Sequence, residues 1–169
     1  MKKIQFLCIL FLFMGCTRSI DPKTTVKKQA MEMSEFLMKK DFPNFCKYTH
    51  PKLIEVIGGQ ENMQNYLSRQ MESMEATGLT YLSIETGEPS KILTVGNELQ
   101  CTLPQTVQMD SPKGKITTTS TLICISENKG KNWYFINANE ESLPQLKQTI
   151  PTISNELAVP PMRRPDLMD

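Results

Sequence analysis

Apolar positions in the first part of the chain recur at helical spacing. Val26, Ala30, Met33 and Leu37 follow one another at intervals of four, three and four, with Phe36 beside them. Such intervals hold side chains on one face and predict a helix over residues 25–40. Pro43 forbids its continuation past Asp41-Phe42, because it lacks an N–H and crowds the preceding turn. Short helical turns are expected in NFCKYTHPKLIEVIGG, ending at Gly58-Gly59. A further helix over 60–76 places Met63, Leu67, Met71 and Met74 on one face and stops at Gly78.

From Leu79 the pattern shifts. The segments LTYLSIE, SKILTV, NELQCTLPQTVQMD, KITTTSTLICISE and KNWYFINAN are rich in β-branched and aromatic residues and are separated by turn-forming clusters. Helices followed by a run of strands predict an α+β fold, with N-terminal helices packed in an antiparallel sheet as a single domain. One hairpin can be registered in advance. A turn at Ser111-Pro112-Lys113-Gly114 pairs residues whose numbers sum to 225, so Met109 faces Ile116, Leu103 faces Leu122 and Cys101 faces Cys124. Leu99, Cys101, Leu103, Val107 and Met109 then share one side of the sheet. Pro104 lacks a ladder donor and calls for a bulge or a free edge. The next turn, near Lys129-Gly130, brings Cys124 beside Phe135. LPQLKQTIP reads as a short helix and VPPMRRPDLMD as a loose Pro-rich tail.

The first fifteen residues stand apart. Lys2 and Lys3 precede an apolar run from Ile4 to Met14, broken only by Gln5. Eleven helical residues rise about 16 Å against the ~30 Å hydrocarbon core, which is too short to span. A basic start, a short apolar run and a small residue before a cut describe a secretory signal peptide over 1–15. Gly15-Cys16 then resembles the lipobox of bacterial lipoproteins, with Phe13 standing where that family prefers leucine. The resemblance implies a lipid-modified Cys16 at the mature N-terminus, a polar tether through residue 23, and a cell-envelope location anchored to the bilayer, on the periplasmic or outer-membrane face. Without Lys2 and Lys3 the 19 basic residues become 17, against 18 acidic ones. That near-neutral balance, with no basic cluster, argues against nucleic-acid binding.

Export also bears on the cysteines. An oxidising compartment and the inferred register make Cys101 and Cys124 candidates for a disulfide that would leave Cys46 free. Closing a loop of that length contributes roughly 3 kcal/mol in the entropic account. The alternative is two small unbonded residues in a core.

The order of elements resembles a known family. AMEMSEFLMKKDFPNFCKYTHPKLIEVIGG, a further helix, and a strand series ending in KNWYFINA are similar to nuclear transport factor two-like proteins, whose superfamily includes ketosteroid isomerases. The similarity spans about residues 24–140. It implies a cone, in which a strongly curved sheet encloses a long helix and a pocket, with residues 141–169 left as an appended short helix and tail. Fold likeness does not carry activity with it.

Candidate chemistry is sparse. A catalytic cone needs a tuned acid or base facing its pocket. His50, the single histidine, is either that base or a loop residue between short helices. Glu85 is the strand carboxylate whose facing the pattern leaves open. Tyr48, Tyr66, Tyr81 and Trp133 are candidate pocket-lining residues or core aromatics. Met63, Met71 and Met74 lie along the face their helix needs for packing, so core filling outweighs copper ligation. No His/Cys spacing resembles a zinc site, and no cofactor is expected.

Three functions follow from these residues. The favoured one is a membrane-anchored, non-catalytic module binding a small apolar ligand or an envelope protein. A pocket enzyme of isomerase or dehydratase type, working through His50 or Glu85, is the second. A purely structural interaction module is the third. The strand face carrying Leu99 to Met109 holds no acid or base, which favours binding over catalysis. A second apolar set, Ile123, Ile125, Tyr134 and Ile136, needs cover from either a homodimer partner or the segment containing Leu143, Leu146 and Ile150.

Overall fold

A computed structural model describes residues 21–161 and 166–168. The expectations for the leader, for Cys16 and for most of its tether lie outside the described residues. The chain runs as helix α1 (Pro22–Met38), a short helix α2 (Phe42–Phe45), a 3₁₀ turn (Cys46–Tyr48), and helices α3 (Pro51–Val56) and α4 (Gln60–Ala76). Strands β1 (Thr80–Thr86), β2 (Leu93–Val95), β3 (Glu98–Asp110), β4 (Lys115–Ser126) and β5 (Tyr134–Ala138) follow, then helix α5 (Leu143–Thr149) and a short strand β6 (Asp166–Met168). The fold is α+β with an antiparallel sheet, as the periodicity predicts.

Helix α1 begins three residues earlier than its apolar stripe suggests. The Asp21 carboxylate accepts from the Lys23 and Thr24 amides at 3.2 and 3.1 Å, and Pro22 takes the first helical position. An oxygen acceptor followed by proline satisfies the free amides of a first turn, and this start signal lies inside the expected tether. Asp41 caps α2 in the same way, accepting from Asn44, with proline again in the first turn. Gly78 ends α4 with φ +78°, and the Leu79 amide reaches back to the Met74 carbonyl at 2.9 Å. A residue with a Cβ is disfavoured at such a φ, which is why a glycine stands there.

The sheet is built on the β3–β4 hairpin. Its partners sum to 225 from Leu99↔Ser126 to Met109↔Ile116, through Cys101↔Cys124 and Leu103↔Leu122. Each long strand takes two short neighbours on its outer edge. Strand β1 pairs with the Gln105–Asp110 half of β3 and β2 with its Glu98–Gln100 end; β5 pairs with the Thr121–Ile125 half of β4 and β6 with its Lys115–Thr117 end. The ladder passes Pro104 with no register shift, and the Pro104 carbonyl accepts from Gly87 just where β1 has ended. A strand residue's N and O point to the same side. The missing donor therefore faces an edge where pairing has already stopped, which is the free-edge solution.

Two cores lie on opposite faces. On the helical face Val26, Ala30 and Met33 of α1 pack on Cys101, Leu103, Leu122, Cys124, Trp133 and Phe135. On the other, Ile123, Ile125, Ile136 and Ala138 meet Ile150, Ile153 and Leu157, with Leu143, Leu146 and Val159 alongside. Of the apolar set that sequence leaves open to a second copy or to the C-terminal segment, Ile123, Ile125 and Ile136 are covered by the C-terminal segment, while Tyr134 meets His50. The order extends past the expected short helix, since Leu157 is buried in this second core and Val159, the first residue of the expected loose tail, packs against it. Gln100, fully buried, fastens them: its Nε2 donates to the Thr152 carbonyl at 2.9 Å and its Oε1 accepts from the Ser154 amide at 3.0 Å.

Candidate functional site

One row across the helical face is polar where its neighbours are apolar. Register places Thr86 of β1, Gln105 of β3 and Ser120 of β4 in a line across three adjacent strands. Alternation puts them on the side of Leu103 and Leu122, facing α1. Gln105 is buried, and its Nε2 donates to Ser34 Oγ of α1 at 3.0 Å; that hydroxyl in turn donates to the Ala30 carbonyl at 2.9 Å. The hydroxyls of Thr86 and Ser120 are buried and have no hydrogen-bond partner. A buried hydroxyl left unmatched costs about 1–3 kcal/mol, and Thr117 on the other face is in the same state.

A cleft of about 540 Å³ between α1 and β1 reaches this row at Ser34 and Thr86. Its walls are apolar where Met31, Met38 and Ile84 line it, and Lys27, Glu35, Lys39 and Glu85 stand around them. The row is a carboxamide and two hydroxyls, with the Ser34 hydroxyl of α1 bonded to the carboxamide. These groups donate and accept hydrogen bonds without exchanging protons near neutral pH. Such groups can pair with a neutral hydrogen-bonding group.

The residues singled out from sequence do not converge on this row. His50 caps α3: its Nδ1 accepts from the Lys52 amide at 3.2 Å, which requires a neutral ring. It is 5% exposed and sits edge-on to Tyr134, whose register partner is Ile125 on the opposite face of the sheet. Burial lowers its pKa, opposed by Glu127 and Glu98 and assisted by Lys52. Glu85 is exposed and pairs in register with Thr106, at the rim of the cleft.

Tyr48 donates to Glu32 Oε2 at 2.8 Å, and burial followed by that carboxylate pushes its pKa up to about 12. Tyr48 and Trp133 both line a separate depression of about 370 Å³. The Trp133 indole is almost wholly buried and spends its N–H on the Gly130 carbonyl at 3.1 Å. Tyr66 is 49% exposed on α4, and Tyr81 is half-buried beside Met71 and Met74 with its pKa raised by burial.

Cys101 and Cys124 oppose one another as the register requires, both wholly buried. Cys46, Cys101 and Cys124 are thiols in this structure, and burial with its neighbouring thiol drives Cys124 well above the ordinary range. Met63 and Met71 are buried in the packing of α4. Among the described residues no cluster of His, Cys, Asp and Glu is placed to hold a metal ion, and no helix is long and apolar enough to cross a membrane.

The polar row had a signal in sequence. Gln105 interrupts the apolar parity between Leu103 and Val107, and the same sum of 225 names Ser120 as its partner. No family model matches this chain, and no curated protein does.

Proposed function

We propose that this chain is a non-catalytic ligand-binding module of the cell envelope, of the nuclear transport factor two-like type, held to the membrane by lipid on Cys16. Helices preceding an antiparallel sheet with a long central hairpin and an aromatic last strand support the family reading. Gly15-Cys16 after a short apolar run supports the anchor. The observation that carries the binding reading is the polar row. Thr86 of the row lines the α1–β1 cleft with Met31, Met38 and Ile84, Gln105 bonds Ser34 of the same cleft, and the row is built of neutral groups. The ligand is a small molecule with an apolar body and a neutral hydrogen-bonding head.

Native mass spectrometry of the protein purified from its own host tests this. The expected result is a non-covalent adduct that is released on denaturation and lost in Gln105→Leu. A wild-type chain without adduct, or an adduct retained in full by Gln105→Leu, overturns the reading. The mass of the N-terminal peptide reads the anchor independently, since acyl chains on Cys16 are expected and a bare cysteine refutes them.

A further inference from the structure

We infer that the end of the domain nearest Cys16 carries a basic surface that docks on an anionic phospholipid bilayer; the inference rests on the reading of Cys16 as lipidated. The start of α1 and the β4–β5 turn form one end of the molecule. A Cβ added to Gly130 would lie 2.8 Å from the Pro22 Cβ. Gln29 of α1 donates through Nε2 to the Lys131 carbonyl at 2.8 Å and accepts from the Trp133 amide at the same distance.

This end exposes Lys23, Lys129 and Lys131, none of which takes part in an ion pair among the described residues. The Lys27–Glu88 pair cancels, while Asp21, held ionised by its cap bonds and by Lys23, and Glu127 on the turn both stay negative. Three lysines against two carboxylates leave this end with a small net positive charge.

Tether length decides which surface that field meets. Five peptide units join Cys16 to Asp21. Fully extended they reach about 17 Å, roughly two Debye lengths at physiological salt. Acyl chains on Cys16 bring this end within one Debye length of headgroup charge when the tether spans less than about half that reach; beyond it the field is largely screened. The β3–β4 turn stands at the opposite end of strands 13 and 12 residues long, some 40 Å away. Lysines near an anionic leaflet each add an increment equivalent to about fivefold in partition.

The test uses residues 16–169 with Cys16→Ser, which keeps both cores and removes the acyl contribution. It is co-sedimented with vesicles of phosphatidylcholine alone and of phosphatidylcholine mixed with phosphatidylglycerol. Selective partition to the anionic vesicles is expected, weakening as salt rises. Lys23→Gln, Lys129→Gln and Lys131→Gln together should lower it about a hundredfold. Lys113→Gln with Lys115→Gln, at the far end, should leave it within about twofold, and thermal melts confirm that each variant folds. Equal partition to both vesicle types, no partition, or equal loss in the two variant sets overturns the inference. Acylation is read separately from the N-terminal peptide, so a missing lipid and a surface indifferent to charge are told apart.

Discussion

His50 illustrates how a single residue type misleads. In sequence it is the one candidate base; in the fold it is a helix cap whose ring must stay neutral to accept the Lys52 amide. Its folded pKa lies below the ordinary value of 6.5 through burial, so the unfolded chain binds the proton more readily. Stability is therefore full above about 6.5 and is lost as pH falls toward the folded value. Asn caps without titrating, so His50→Asn should keep the melting temperature at pH ~7.5 within a few degrees and flatten its fall toward pH ~5. Parallel melting curves for the two proteins would refute this assignment. Thr86 allows a second residue-scale prediction. Its buried hydroxyl has no partner, so the isosteric Thr86→Val should stabilise the ligand-free protein by about 1 kcal/mol while weakening ligand retention. Denaturant unfolding and adduct abundance read the two effects. His-Pro at a helix start was legible as a cap in principle, but histidine caps rarely and its chemistry draws the eye first.

At the scale of elements, the pattern along the chain was most informative where geometry repeats. The β3–β4 register followed from one turn, because a two-residue pleat propagates a single pairing through eleven matched positions. Element ends were less legible. The apolar stripe located the body of α1, whereas its start is set by the Asp21 side chain and Pro22, outside the stripe. The contact between that start and the β4–β5 turn was not legible at all, since it joins residues more than a hundred positions apart. Gly130 is its hinge point, at φ +82° with the Pro22 ring where a Cβ would stand. Gly130→Ala should cost about 1–3 kcal/mol and shift α1's first turn away from the β4–β5 turn. Thermal denaturation measures the cost, and amide exchange in residues 22–28 locates it; a loss spread evenly over the sheet would count against the contact.

For the whole molecule, the two faces of the sheet have different fates. The helical face is packed by α1 and keeps one polar row, while the other face is packed by α5 and the chain that follows it. Each fully buried Ile or Leu contributes about 1.5–3 kcal/mol, so Ile150, Ile153 and Leu157 together rival the net stability of an ordinary domain. Ending the chain after residue 141 should therefore give an aggregating or unfolded product by size-exclusion chromatography and circular dichroism. A monomeric, folded truncation would show that the outer face needs no cover. Sequence could not choose between this segment and a second copy of the chain, because both would present similar apolar residues to Ile123 and Ile125.

The Gln100 carboxamide has a consequence for timing. By donating to Thr152 and accepting from Ser154 it mimics a peptide group, and so gives a segment outside the sheet the bonds of a neighbouring strand. Those partners lie more than fifty residues downstream. A chain that emerges N-terminus first, from a ribosome or through a membrane pore, has the whole helical face available before residue 152 appears. Until then Gln100 lacks these two partners, and the second core, begun by Leu143, Leu146 and Ile150, is completed only when Ile153 and Leu157 follow.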